Sequence, residues 1–186
     1  MRLNIYDETS ILKTVILGRA DTIGNKPKLN QTYDPSSLLN LKKGTYPQKS
    51  DLVKELKTYK ATLEKNRIKV LELDKILNCN QIYARDIGFV IQRFFFISNI
   101  IPLRGREIHG LNSILSEIDN SKIIKLPEEV HIEGGDVILD NDKIFIGYYN
   151  KSDYKKQKTA RTNVIGVKYL ENFFGKEKIK SFELNK

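Results

Sequence analysis

Histidine, cysteine and tryptophan are scarce in this 186-residue chain, which has two His, one Cys and no Trp. The single Cys79 excludes an internal disulfide framework of the kind that holds small secreted domains together. No His, Cys and Asp residues follow the spacing of a zinc site, and no glycine-rich phosphate loop is present. We therefore predict neither a metal nor a bound cofactor.

Long apolar runs are also missing, since no stretch approaches the roughly 20 residues that a membrane helix needs. Met1 is followed by mixed polar residues rather than by a basic and then apolar leader. These features predict a cytoplasmic protein that makes no membrane contact.

Positive charge is in excess: Lys and Arg number 32 against 23 Asp and Glu, a formal net charge of +9. The basic residues are spread along the whole chain and interleaved with acidic ones, whereas nucleic-acid binders usually concentrate their charge on one face. A solvated Lys-rich surface is therefore the favoured interpretation. Nucleic-acid binding is the minor alternative, and it predicts an affinity that falls steeply with salt.

Strand-like and helix-like segments recur in one order at residues 10–75, 80–127 and 130–186. Each unit closes with a short strand, and these closing strands lie about 55 residues apart, a period typical of repeat or propeller architectures. In the first unit we predict a strand at 14–18, a long loop at 21–49 and a helix capped by Ser50.

The second and third units each begin with a predicted apolar hairpin, at 87–97 and 136–147. A helix follows each hairpin, over 108–118 in the second unit and after a Thr162 cap in the third. An ordinary α/β sheet explains the periodicity as well as a repeat architecture does, so both alternatives stay open at this point.

Four polar clusters lie where these units join: residues 80–86 (NQIYARD), 104–107 (RGRE), 133–136 (EGGD) and 161–163 (RTN). Apolar runs surround each cluster, and a buried charge costs several kcal/mol unless it is paired. The carboxylates and arginines could neutralise one another across units. They could instead converge on a ligand that carries both a cation and a carboxylate, such as arginine, whose planar guanidinium matches paired carboxylate acceptors.

In chain order, Asn-x₅-Asp, Arg-x-x-Glu, Glu-Gly-Gly-Asp and Arg-Thr-Asn resemble the motifs of the arginine deiminase, dimethylarginine dimethylaminohydrolase and amidinotransferase superfamily, the penteins. The resemblance spans nearly the whole chain, from Thr14 to Leu184. It implies an α/β fold, specifically a five-bladed α/β propeller of strand–strand–helix–strand units. The chain would hold about three of the five units in a single incomplete domain, residues 1–186.

The resemblance also implies roles for individual residues. Glu133 would be catalytic by helping to polarise a guanidinium group. Substrate-binding positions would be Asn80, Tyr83, Asp86, Arg104 and Arg161. Asp86 would bind the guanidinium, while Arg104, held by Glu107, and Arg161 would bind the rest of an arginine-like substrate. Arg106 is an alternative to Arg104 as the ligand of a carboxylate.

The chain departs from the family in its reactive groups. Family members attack the guanidinium carbon with a Cys thiolate and use a His as acid and base, both from later segments. Here no Cys follows Cys79 and no His follows His131. Cys79, His131 and Glu133 formally offer a nucleophile, base and carboxylate, but a free Cys is more often a small buried hydrophobe.

We therefore expect the N-terminal part of a guanidine-modifying enzyme, of the deiminase and amidinohydrolase type or of the amidinotransferase type, that is inactive alone. Its partner would be a guanidino compound such as arginine or a substituted arginine. A non-catalytic, amino-acid-binding relative is the alternative. Sheet and helix faces left uncovered by an incomplete propeller should promote self-association.

Overall fold

The computed structural model describes residues 1–32, 34–150 and 160–184. These residues form eight strands: β1 Thr14–Leu17, β2 Lys69–Glu72, β3 Gly88–Ile91, β4 Phe94–Ile97, β5 Ile123–Lys125, β6 Val137–Asp140, β7 Lys143–Tyr148 and β8 Ile179–Glu183. They also form five α-helices: α1 Pro35–Lys43, α2 Lys49–Lys65, α3 Ala84–Ile87, α4 Asn112–Ser116 and α5 Val164–Phe174. Short 3-10 helices lie at Leu29–Gln31, Pro102–Leu111, Asn120–Lys122, Gly134–Asp136 and Lys176–Lys178. None of the described helices is long and apolar enough to cross a membrane.

The strands form three small sheets, with the orders β1-β2, β3-β4-β5 and β6-β7-β8. In the second and third sheets a hairpin pairs the first two strands antiparallel, and the third strand returns parallel after a helical connection. The parallel return requires such a crossover. The mixed α/β class is confirmed, and the described strands do not form one continuous sheet. A ring of five such units stays a prediction.

Neighbouring sheets pack through the centre of the molecule, where β4 supplies two consecutive aromatic rings. Successive residues of a strand point to opposite faces. Phe95 accordingly belongs to a core with Leu73 and Leu111, whereas Phe96 packs in a second core with Ile146 and Leu170. Both rings are almost completely buried, and each contributes about 2–3 kcal/mol of hydrophobic stabilisation. The second sheet is thus covered on both faces.

The segment predicted as a long loop at 21–49 contains a helix, so that prediction is wrong in part. Pro35 occupies the first turn of α1, where a missing N–H is tolerated. Asp34 caps the helix, since its Oδ1 accepts from the Ser37 backbone N–H at 2.7 Å. Gly44 ends the helix with a φ of 72°, in the left-handed region. The proline and glycine that indicated a loop mark the two ends of this helix.

Both predicted helix caps are wrong by one or two positions. Helix α2 begins one residue before Ser50, after Gln48. Helix α5 is capped by Asn163, whose Oδ1 accepts from the Gly166 N–H at 2.7 Å, because Thr162 is engaged elsewhere.

The helix predicted over 108–118 is divided in the structure: its first residues end the 3-10 helix Pro102–Leu111, and the single turn of α4 follows at Asn112–Ser116. Gly105 and Gly110 lie within the 3-10 helix, and glycine disfavours a regular α-helix by about 1 kcal/mol relative to alanine. The apolar residues of this segment still face the core, because Leu111 and Ile114 are buried there.

The third sheet leaves apolar side chains open on the face turned away from the core. Ile138 on β6 is 55% exposed and Phe182 on β8 is 54% exposed. Phe145 on β7 lies between their strands and stacks on Phe182 with ring centroids 6.3 Å apart. Such a patch is of the kind expected to favour association.

Candidate functional site

Charged side chains from four separate segments meet in an ionic cluster, defined here as Asp86, Arg104, Glu107, Glu133 and Arg161. Asp86 lies on α3, directly before the hairpin of the second sheet. The 3-10 helix Pro102–Leu111 carries Arg104 and Glu107. Glu133 precedes the hairpin of the third sheet, and Arg161 precedes α5. The cluster thus lies where elements of the second and third sheets begin, as the polar motifs predicted.

Arg104 is buried at the centre of the cluster. Its Nε and Nη2 donate to the two carboxylate oxygens of Glu107, each at 2.8 Å. Its Nη1 donates to Asp86 Oδ2 at 2.8 Å and lies 3.6 Å from Glu133 Oε2. The bidentate contact between Arg104 and Glu107 belongs to the strongest class of ion pairs in proteins. Burial raises the pKa of Glu107, and the Arg104 guanidinium opposes that rise.

Arg161 approaches the same carboxylates from the third sheet. Its Nε donates to Glu133 Oε2 at 2.8 Å, and its Nη2 lies 2.7 Å from that oxygen. The same Nη2 lies 3.7 Å from Asp86 Oδ2. Neutralisation of carboxylates by arginines from another unit, one of the two alternatives left open by the sequence, is therefore present.

Glu133 contributes a buried carboxylate oxygen that lacks a hydrogen-bond donor within the described part of the chain. Glu133 Oε1 is buried and accepts no hydrogen bond from the described residues. A buried polar atom left in this way costs about 1–3 kcal/mol, and more when it is charged. The cluster also pairs three carboxylates with two guanidinium groups, a formal charge of −1. Its chemistry therefore favours a cationic N–H donor.

Asp136 fastens the two segments that carry Glu133 and Arg161. Its Oδ2 accepts from the backbone N–H of Arg161 at 2.9 Å, from that of Thr162 at 2.8 Å and from Thr162 Oγ1 at 2.8 Å. Glu133 N–H in turn donates to Thr162 Oγ1 at 3.3 Å. Burial raises the pKa of Asp136 to about 6, although these hydrogen bonds lower it.

Tyr83 lies beside the cluster at its open edge. Its ring centroid is 5.9 Å from Arg104 Cζ, within the range of a cation–π contact. Burial of the hydroxyl, followed by the carboxylates of Asp34 and Asp86, raises the pKa of Tyr83. The carboxylates of the ionic cluster and of the α1 segment therefore both act on this hydroxyl.

Two predicted positions lie outside the ionic cluster. Asn80 Oδ1 accepts from the Ile82 N–H at 3.3 Å, and the residue lines a separate cavity of about 440 Å³. Arg106 Nη2 donates to the Leu77 carbonyl at 3.3 Å, in an exposed position. Of the two candidate arginines, it is Arg104 that joins the carboxylates.

Comparison with known proteins gives a consistent result for the fold. The amidinotransferase SxtG of the saxitoxin biosynthetic pathway, from Microseira wollei, superposes with a TM-score of 0.66 at 17% identity, over 98% of this chain. Dimethylarginine dimethylaminohydrolase from Pseudomonas aeruginosa, complexed with citrulline, gives 0.68 at 18% identity over 95% of this chain. Inosamine-phosphate amidinotransferase from Streptomyces griseus gives 0.69 at 13% identity over 100%.

The chain has the pentein fold. It covers 64%, 62% and 64% of those three structures, respectively. The uncharacterized protein YkgA of Bacillus subtilis (strain 168) is 30% identical over 101 residues, which are 50% of this chain and 34% of YkgA. No protein-family model matches the chain.

Within this pentein fold, the surroundings of Cys79, His131 and Glu133 do not favour their use as an alternative nucleophile set. Burial first, and then the Glu107 carboxylate, raises the pKa of the Cys79 thiol, which disfavours the thiolate that a nucleophile needs. His131 Nδ1 lies 3.2 Å from the carbonyl oxygen of Asn99, while Glu133 binds Arg161. A disfavoured thiolate and a carboxylate committed to Arg161 both argue against nucleophilic catalysis by this set.

The sequence predicted no role at the site for three residues that contribute to it. Asp136 and Thr162 belong to the motifs recognised in the sequence, yet only the folded chain reveals the bonds between them. Gly135 lies against Asp86, because a Cβ at Gly135 would stand 2.7 Å from Asp86 Oδ1. The Gly-Gly pair was the available signal, since glycine permits close approach of another group.

In the described part of the chain, no three His, Cys, Asp or Glu side chains are arranged to hold a metal ion.

Proposed function

We propose that this chain is the substrate-recognition part of a guanidine-modifying enzyme that acts on arginine or a substituted arginine. The observation that carries the proposal is the buried, unpartnered Oε1 of Glu133 in a cluster of net negative charge. A guanidinium supplies the planar, positively charged N–H donors that such an oxygen lacks. The shared fold supports the proposal, because the similar structures include amidinotransferases and a dimethylaminohydrolase.

In this proposal Glu133 and Asp86 accept hydrogen bonds from the substrate guanidinium. Asp86 uses Oδ2 for Arg104, which leaves its Oδ1 for the substrate. Arg104 acts through the carboxylates that it holds in place. Arg161 is the more accessible of the two arginines, with a side chain 15% exposed, and can contact the substrate directly. Tyr83 packs beside the bound group.

The proposed reaction is hydrolysis of the guanidinium group or transfer of its amidino group. The resemblance implies attack by a Cys thiolate, with a His as acid and base, and this sequence has neither residue at the corresponding later positions. We therefore propose that the chain alone binds the substrate without turning it over. In this proposal the chain forms about three of the five units of a propeller, and the protein is cytoplasmic. Glu133 would contribute to catalysis by polarising the guanidinium once those groups are supplied.

Isothermal titration calorimetry with arginine and other guanidino compounds tests the recognition step. Glu133→Gln and Asp86→Asn should each weaken binding at least tenfold, because each removes a charged acceptor. Glu64→Gln is the matched control, since Glu64 lies on the exposed surface of α2. Absence of binding, or equal binding by the wild type and both site variants, would contradict the proposal.

A non-catalytic relative that retains the pocket is the alternative function. It predicts the same binding, so the nucleotide sequence downstream of codon 186 distinguishes the two. An open frame that encodes the missing His and Cys segments supports the enzyme, whereas a stop codon without any such remnant supports the binding protein.

A further inference from the structure

A second feature of the molecule is the cavity of about 440 Å³ that contains Asn80. Its volume falls in the range of small-molecule sites, roughly 300–1,000 Å³. One wall comes from the segment that contains α1, and the other from the turn before α3. The described lining residues are Gly24, Asn25, Pro27, Gln31, Thr32, Asp34, Ser37, Tyr46, Asn78 and Asn80.

Tyr83 links the cavity to the ionic cluster along the chain. It follows Asn80, which lines the cavity, after a tight turn in which the Ile82 N–H donates to Asn80 Oδ1 at 3.3 Å. The Tyr83 ring centroid lies 5.9 Å from Arg104 Cζ. A guanidino compound held by Asp86 and Glu133 would therefore have this cavity within reach of its other end.

The described polar groups that line the cavity are amides, hydroxyls and a single carboxylate, that of Asp34. No Lys, Arg or His is among the described lining residues. A substrate carboxylate there would face a like charge, which is unfavourable, whereas an ammonium or hydroxyl group would face acceptors. The nearest arginines of the cluster point instead at Glu107 and Glu133.

We propose that this cavity binds the end of the substrate remote from the guanidinium, and that it selects a hydroxyl- or ammonium-bearing end over a carboxylate. Asp34 is the selecting residue, held in place because its Oδ1 also caps α1 through the Ser37 N–H. This inference rests on the proposed guanidinium recognition. It replaces the expectation that Arg104 binds a substrate carboxylate.

Three ligands that share a guanidinobutylamine core test the selection by calorimetry with the full chain. Arginine carries the carboxylate, argininamide replaces it with a neutral amide, and agmatine lacks it but retains an ammonium group. We expect agmatine and argininamide to bind about tenfold more tightly than arginine. Tighter binding of arginine overturns the cavity inference and leaves the proposed function intact, whereas failure of all three ligands to bind overturns both.

Asp34→Asn tests the selecting residue without removing the helix cap, since Asn caps helices as well as Asp does. The variant should lose most of the preference for agmatine over arginine, while Asp142→Asn, a surface change in the turn between β6 and β7, should leave it unchanged. The alternative is that a substrate carboxylate binds near the cavity, to Arg106 or to the exposed Lys26 and Lys28. A selective loss of arginine binding in Arg106→Ala or in Lys26→Ala/Lys28→Ala would establish that site and refute the selection by Asp34.

Discussion

Asp136→Asn is expected to change how stability depends on pH. Burial raises the pKa of Asp136 from 3.8 to about 6 in the folded chain. Between these values the folded state binds the proton more strongly than the unfolded state does, so the protonated side chain favours folding. That contribution is fully present below about pH 3.8 and is lost as the pH rises through about 6. The asparagine of the variant does not titrate, so the variant lacks this contribution at every pH.

The magnitude follows from the shift in pKa. Each pKa unit corresponds to about 1.36 kcal/mol, so the rise from 3.8 to about 6 corresponds to about 3 kcal/mol. Solvent near this partly buried side chain screens the effect, which makes that figure an upper bound. We expect the free energy of unfolding of the wild type, relative to Asp136→Asn, to fall by about 1–3 kcal/mol between pH 4 and pH 7.

Urea unfolding of both proteins, followed by circular dichroism at pH 4, 5, 6 and 7, measures this difference. The comparison cancels the titration of all groups that the two proteins share. An unfolding midpoint that differs with an unchanged slope reports stability alone. A difference that stays flat or rises with pH would show that the three hydrogen bonds to Asp136 outweigh its burial, and it would refute a raised pKa for this carboxyl.

Two further substitutions probe the cluster. Glu107→Ala should destabilise the chain by about 3–5 kcal/mol, because it leaves a buried guanidinium without its two-pronged partner; urea unfolding measures this, and a loss below about 1 kcal/mol would contradict the assignment. Gly135→Ala should weaken arginine binding about tenfold, because the new Cβ would stand 2.7 Å from an Asp86 oxygen and displace it. The loss of stability should be small, because Gly135 is exposed. Gly105→Ala is its control, since nothing lies within 4 Å of a Cβ there, and equal binding by both variants would argue against a close approach at Gly135.

The resemblance to the pentein motifs, rather than any single spacing, brought the charged residues of the site together. It implied that Glu107 holds Arg104, and the structure shows both bonds between them at 2.8 Å. Apolar runs likewise predicted the hairpins of the second and third sheets, which both form.

Other features could not be predicted from the sequence, because neighbouring residues were equally suited to the same role. Thr162 and Asn163 can each cap a helix, and the choice depends on Asp136, a residue about 25 positions away that takes the Thr162 hydroxyl. Asn80 belongs to the same motif as Asp86, yet Asn80 lines a separate cavity whereas Asp86 lies in the ionic cluster. That separation depends on how the segment with α1 packs, which no local pattern records.

The placement of Phe95 and Phe96 on β4 has a consequence for cooperativity. The two rings belong to different cores, but the residues that carry them are consecutive in the chain. Loss of either core would free β4 and thereby withdraw a ring from the other, so the halves of the molecule should unfold together rather than in sequence. Since the ionic cluster draws residues from both halves, ligand binding would then report the integrity of the whole chain.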